Sequence, residues 1–167
     1  MPLLEAVQEL RFDYDVRVTI LGSIPDADNP NYSRILDFID QHEMSDIVDL
    51  KGTVEFSNMS REYAPHYVYI LPSFDEPTAV SHIEAMAHGL PAICSDSNGT
   101  KYYLEEGETG YVFRSQDSDD LTEKLRRVIR DRDELVRMGK RSYELVKSDL
   151  DPEIYHNRLL EIVESIQ

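Results

Sequence analysis

Apolar positions along this chain follow two alternating periods. Short runs rich in β-branched and aromatic residues, Val16 to Leu21 (VRVTIL), Ile47 to Lys51, Tyr67 to Leu71 (YVYIL), Pro91 to Ser95 and Gly110 to Phe113, read as strands. Helically spaced stretches lie between them. Pro2 to Phe12 sets Leu3, Val7 and Leu10 on one face, and Tyr32 to His42 carries Ile35, Leu36, Phe38 and Ile39, with Asn31 or Ser33 near its start as a cap. Ser60 to Tyr63 predicts a short helical turn, Thr78 to His88 a longer helix and Lys101 to Glu105 a brief one. Pro25 to Pro30 reads as a polar loop, and Asn98-Gly99 marks a turn over Asp96 to Thr100.

From Asp117 the pattern is wholly helical. Leu121, Leu125, Val128 and Ile129 form one stripe, with acids at its start and Arg126, Arg127 and Arg130 at its end, which complements a helix dipole. A second helix is expected over Asp133 to Lys147. A third starts at Asp151-Pro152, with Tyr155, Leu159, Ile162, Val163 and Ile166 facing one way. Strands alternating with helices predict an α/β fold, a Rossmann-like parallel sheet with helices on both faces. Residues 1–167 then form a single domain whose C-terminal helices begin at about 117. No G-x-G-x-x-G occurs, so the simple dinucleotide fingerprint is absent.

Chemistry concentrates in Leu71 to Gly89, LPSFDEPTAVSHIEAMAHG, where a strand ends in a turn that opens into a helix. Pro77 stands where a first helical turn begins. The opening amides of Thr78, Ala79 and Val80 have no carbonyls behind them, so they offer donors and a positive dipole end to an anion such as phosphate. Glu76 and Glu84 flank that seat, and carboxylates accept hydrogen bonds from sugar hydroxyls. Taken singly, Asp75 and Glu76 are better explained as complements to the helix dipole, and Glu84 as a solvated helix charge.

The segments LPSFDEP, EAMAHGLPAICSD, SNGT and EEGETGYVF resemble the nucleotide-sugar-binding, C-terminal half of retaining glycosyltransferases with the GT-B fold, family 4 (group 1). The resemblance runs through most of the chain, and its specific part is Leu71 to Phe113. It implies that Glu76, the first glutamate of an E-x7-E pattern, contacts the donor sugar as the catalytic residue. Glu84 then holds the ribose hydroxyls, and the amides of Thr78, Ala79 and Val80 hold the diphosphate. Val54, after the strand ending near Lys51, packs near the base by the same resemblance; an ordinary loop valine explains it as well. One departure is Ala79, where the family usually has glycine.

The resemblance also implies a UDP- or GDP-sugar donor, no metal or other cofactor, and a glycan or lipid-linked acceptor bound through another, N-terminal domain. In that family the domain opens with a strand and a glycine-rich loop whose Arg and Lys neutralise the diphosphate. Here the first element is the Pro2 helix. The chain is therefore expected to be a fragment of a two-domain transferase, inactive alone, with its first strand missing and a central sheet position left open or filled by a neighbouring segment. Alternatives are a GT-B epimerase or hydrolase acting on sugar nucleotides, and a non-catalytic binding module that assists a partner transferase.

Composition narrows the options. With 41% hydrophobic residues and only 7 Gly and 8 Pro, the chain is globular. A formal charge of −16 argues against nucleic acid and acidic membrane surfaces as direct partners. It also means that a dianionic nucleotide-sugar needs local donors, yet Leu71 to His88 contains no Lys or Arg; Lys51 and Lys101 are the nearest candidates by strand position. No apolar run is long enough to span a bilayer, and no signal peptide is evident. A cytoplasmic location is expected, peripheral to a membrane only through the other domain. Cys94 is alone, within a strand, and reads as a buried thiol. The five histidines show no zinc spacing, no Asp-x-Asp cluster lies near the site, and no serine has the setting of a nucleophile elbow. His88 is best explained by the negative dipole end of its helix.

Overall fold

The computed structural model describes residues 1–24 and 29–165, so most of the Pro25 to Pro30 loop, and Ile166, lie outside the described residues. The elements in order are α1 (Pro2–Leu10), β1 (Val18–Leu21), α2 (Pro30–Gln41), β2 (Val48–Gly52), α3 (Met59–Tyr63), β3 (Tyr69–Leu71), α4 (Val80–Ala87), β4 (Ala92–Ser95), β5 (Gly110–Phe113), α5 (Ser118–Arg130), α6 (Arg132–Leu145) and α7 (Pro152–Ser165). A 3-10 turn at Phe56–Asn58 leads into α3, another spans Gly99–Tyr103, and a π-helical turn, Val146–Leu150, follows α6.

Every strand pair is parallel. β1 pairs with β2, and β3, β4 and β5 pair in that order, so the sheet comes in two pieces. Helices cover both faces because strand residues alternate in direction. Ile93 of β4 packs with Ala6 and Leu10 of α1 and Leu121, Leu125 and Val128 of α5, whereas its neighbour Ala92 packs with Met86 of α4 and Leu145 of α6.

Between β1 and β3 lies a cleft of about 510 Å³, walled by Val16 and Val18 on one side and Val68 and Ile70 on the other. β1 and β3, on its two sides, make no ladder with each other. α1 spans the two pieces: Leu4 and Val7 pack with Ile39, Met44 and Val48 beside β1 and β2, while Ala6 and Leu10 join the core under β4 and β5. Side-chain bonds from the segment before β3 also reach β1 and β2: His66 Nε2 lies 2.9 Å from Thr19 Oγ1, and Glu62 pairs with Lys51 at 2.7 Å.

Side-chain caps mark several helix starts. The N-cap of α2 is Asn29, not Asn31 or Ser33: its Oδ1 accepts from the amides of Asn31 and Tyr32, and Pro30 occupies the first helical position, where a missing N–H costs nothing. Asp117 caps α5 through the Asp120 amide, and Arg127 and Arg130 sit in its last turn as expected. α7 forms where its pattern places it, yet Tyr155, Leu159, Ile162 and Val163 are exposed and join none of the core clusters. Cys94 is fully buried, and burial pushes its thiol up to about 12.

Candidate active site at the carboxyl edge of the sheet

In a parallel sheet the carboxyl ends of the strands collect the loops that leave them, and ligands bind there. The turn after β3 carries Glu76, Thr78 and Ala79 to the start of α4, and Glu84 follows within that helix. Val54 is half-buried in the loop leaving β2. Glu76, Thr78, Ala79 and Val80 therefore lie on one continuous turn at the head of the helix that carries Glu84.

The helix begins later than its sequence pattern predicts. Val80 is its first residue and Ala79 its N-cap, so Pro77 and Thr78 belong to the turn. Local polar bonds account for the shift: Thr78 Oγ1 donates to the Pro77 carbonyl at 2.7 Å, and the Thr78 amide donates to Glu76 Oε1 at 3.3 Å. These bonds give the backbone an alternative to the helix ladder. The Thr78 amide is thus engaged, while those of Ala79, Val80 and Ser81 find no acceptor among the described residues. Ser81 joins the candidate seat for this reason, a residue that the assumed helix start had hidden.

Asp75 adopts φ 56°, in the left-handed region, which turns the chain so that Glu76 follows the bend. The carbonyl of Glu76 accepts from the Gly99 amide at 2.8 Å, and Glu76 and Asn98 form an isolated parallel bridge. Only glycine fits at 99, because a Cβ there would lie 1.9 Å from the Pro77 carbonyl oxygen. Ser95 Oγ donates to the Ser73 carbonyl at 2.6 Å and Asn98 Nδ2 to Ser73 Oγ at 3.3 Å. The turn bearing Glu76 is therefore held along its length by the segment that leaves β4.

Glu84 is half-buried, and its Oε2 accepts from the hydroxyl of Tyr63 at 3.2 Å. Burial first, and the nearby Glu84 charge second, hold the Tyr63 phenol well above its ordinary range, so it remains a donor to that carboxylate. Tyr69 and Ser81 share a 2.7 Å bond between their hydroxyl groups, which ties β3 to the first turn of α4. Neither tyrosine stood out in the sequence. The signal available was their place on α3 and β3, facing the helix that carries Glu84. His88 is the C-cap of α4, its Nδ1 lying 2.8 Å from the Glu84 carbonyl.

Both candidate lysines have partners. Lys51 pairs with Glu62 at 2.7 Å, and Lys101 donates to the Asp96 carbonyl while its Nζ lies 5.2 Å from the Tyr102 ring centroid. The unpaired amides of Ala79, Val80 and Ser81 stand at the positive end of the α4 dipole. Among the described residues no three His, Cys, Asp or Glu side chains converge as a metal site, and no helix is long and apolar enough to cross a membrane.

Comparison with solved structures finds the same fold over nearly the whole chain. Anabaena HepE in complex with UDP matches with a TM-score of 0.87 at 16% identity, covering 98% of this chain and 44% of that one. Sucrose-phosphate synthase from Thermosynechococcus elongatus matches with a TM-score of 0.80 at 24% identity, covering 98% and 43%. These likenesses establish the GT-B fold, of which this chain matches one part. A sulfoquinovosyl transferase of Arabidopsis thaliana is 32% identical over 96 residues, 56% of this chain and 19% of that protein. Spore coat protein SA of Bacillus subtilis strain 168 is 28% identical over 167 residues, covering 97% of this chain and 44% of the relative. The chain thus spans less than half the length of each of these four. The family model described as "Glycosyl transferases group 1" matches residues 2–145, which take in the parallel sheet, the E-x7-E turn and the segment that braces it, and the chain belongs to that family.

Proposed function

We propose that this chain is the donor-binding domain of a retaining glycosyltransferase that moves a hexosyl group from a nucleoside-diphosphate sugar to an acceptor hydroxyl. The observation that carries the reading is the unpaired amide start of α4, set between the Glu76 turn and the Glu84 carboxylate. Glu84, oriented by Tyr63, takes the ribose hydroxyls, and Val54 packs near the base. The amides of Ala79 and Val80, with Ser81 beside them, take the diphosphate, joined by that of Thr78 once it leaves Glu76. Donor binding therefore has two linked effects: phosphate replaces the Glu76 carboxylate on the Thr78 amide, and Glu76 is freed toward the sugar.

In this mechanism the protein holds the leaving diphosphate in a field of oriented donors as the glycosidic bond breaks and the acceptor hydroxyl attacks. Charge neutralisation is assigned to amides and to cations from outside this turn, not to a metal ion. The HepE structure is a complex with UDP, which supports a uridine donor as the first to try. The acceptor, a glycan or lipid-linked sugar, is assigned to a second domain. The test is a donor panel of UDP- and GDP-hexoses with the full-length protein in EDTA, following nucleoside-diphosphate release and the anomeric configuration of the product. Transfer with retention supports the reading. Inversion, loss of activity in EDTA, or epimerisation without transfer overturns the corresponding part.

A further inference from the structure

We propose that His82 is a positioning residue for Glu76, acting through Thr100 and Asn98; the proposal deepens the donor-site reading above and rests on it for its catalytic part. His82 lies on the inward stripe of α4 with Ala85 and Met86, and all three are completely buried. Its Nδ1 is 2.9 Å from Thr100 Oγ1. The Thr100 hydroxyl and amide both donate to Asn98 Oδ1, at 2.5 Å and 2.9 Å. Since the hydroxyl hydrogen points to Asn98, the remaining lone pair of Thr100 accepts from His82, so Nδ1 carries the imidazole hydrogen.

The direction of these bonds fixes the far end. With its oxygen held by Thr100, the Asn98 amide group presents Nδ2 to Ser73 Oγ at 3.3 Å, and the adjoining Gly99 amide donates to the Glu76 carbonyl at 2.8 Å. Three buried side chains thus connect α4 to the Ser73 hydroxyl, and the Gly99 amide beside Asn98 carries the link to the backbone of the turn that aims Glu76. His82, Asn98 and Thr100 are at most 1% exposed, so water does not substitute for a missing link.

One feature of the relay makes little sense as packing alone. His82 Nε2 is buried with no hydrogen-bond partner among the described residues. A buried bare nitrogen is costly, and an apolar side chain of similar volume would avoid that cost. Retention of a locally unfavourable group beside a site is the pattern expected where function constrains the position. Burial lowers the imidazole to about 4, so it acts as a neutral donor and not as a charge.

The test compares His82→Leu, His82→Asn, Thr100→Val and the His82→Leu/Thr100→Val pair in the full-length protein. An asparagine amide reaches roughly where Nδ1 stands, whereas leucine offers no donor. In His82→Leu, amide exchange at Gly99 should accelerate about tenfold while Ile93 in β4 is unchanged. Turnover should fall about tenfold with the donor KM unchanged, as expected for a slightly misaimed catalytic group. His82→Asn should restore most of both. The pair should be no worse than the worse single variant, because one relay is broken only once. Tm of His82→Leu should be unchanged or higher.

Unchanged Gly99 exchange in His82→Leu, a turnover loss that tracks Tm in both His82 variants, or multiplied losses in the pair would each overturn the relay. Absence of any donor turnover by wild-type protein defeats the donor-site reading, and with it the catalytic part of the proposal. The Gly99 exchange then decides the structural part alone.

Discussion

Replacing Gly99 with alanine puts a methyl carbon 1.9 Å from the Pro77 carbonyl oxygen and 2.9 Å from its carbon, where ordinary contact begins at 3.4 Å. Both atoms are backbone, so no side chain can swing aside. The two segments must part by about 1.5 Å, which breaks the 2.8 Å bond from the Gly99 amide to the Glu76 carbonyl. A lost hydrogen bond costs about 0.5–1.5 kcal/mol and forced overpacking about 1–3 kcal/mol, so roughly 2–4 kcal/mol in total is at stake. Part of that is relieved if the turn moves, in which case the displacement falls on Glu76. A 1 Å misplacement of a catalytic group can cost about a hundredfold in rate. Urea unfolding should therefore show a lower midpoint with an unchanged slope, and turnover of full-length protein should drop by ten- to a hundredfold. An alanine variant with wild-type midpoint and wild-type turnover would refute both the close approach and its role.

Glu76→Gln should cut turnover about tenfold to a hundredfold and leave nucleotide affinity almost unchanged, since the residue is assigned to the sugar; an equal effect on both, measured by kinetics and calorimetry, would reassign it. Tyr63→Phe removes the 3.2 Å bond that orients Glu84 and should weaken nucleoside-diphosphate binding about fivefold to tenfold, with turnover at saturation unchanged. His82 is held down to about 4 by burial, against 6.5 for the free group. Between those values the unfolded state binds the extra proton, so stability present above pH 6.5 is lost as pH falls toward 4. One pKa unit corresponds to about 1.4 kcal/mol, and the whole loss approaches roughly 3 kcal/mol. The stability difference between wild type and His82→Leu, followed by urea unfolding, should shift in favour of the variant across that window.

Strand positions were legible because β-branched runs bounded by Gly and Pro have few other uses, and β5 falls at Gly110–Phe113 as its pattern predicts. β1 and β3 are shorter than their apolar runs: Val16 and Val68 keep the strand pattern but line the cleft between the sheet pieces. The start of α4 was misplaced for a local reason. Pro77 and Thr78 have the composition of a first turn, but their polar groups bond within the loop, which no residue-type preference reveals. The bracing contacts were invisible for a different reason, since His82 and Thr100 meet across 18 residues of chain. A clue did exist: a histidine on the same helical stripe as Ala85 and Met86 must be buried, and a buried imidazole needs a partner. Charge reasoning anticipated the shortage of cations at the seat, but not that Glu62 already occupies Lys51.

On the reading proposed above, the head of α4, with Glu84 behind it, is a nucleoside-diphosphate site. Titration calorimetry of the full-length protein with UDP and with GDP, alongside Glu84→Ala, tests it most directly. One saturable event is expected with at least one of the two nucleotides, weakened about tenfold or more in the variant by loss of charge-assisted bonds to the ribose. Binding of neither nucleotide, or binding that Glu84→Ala leaves untouched, would contradict it.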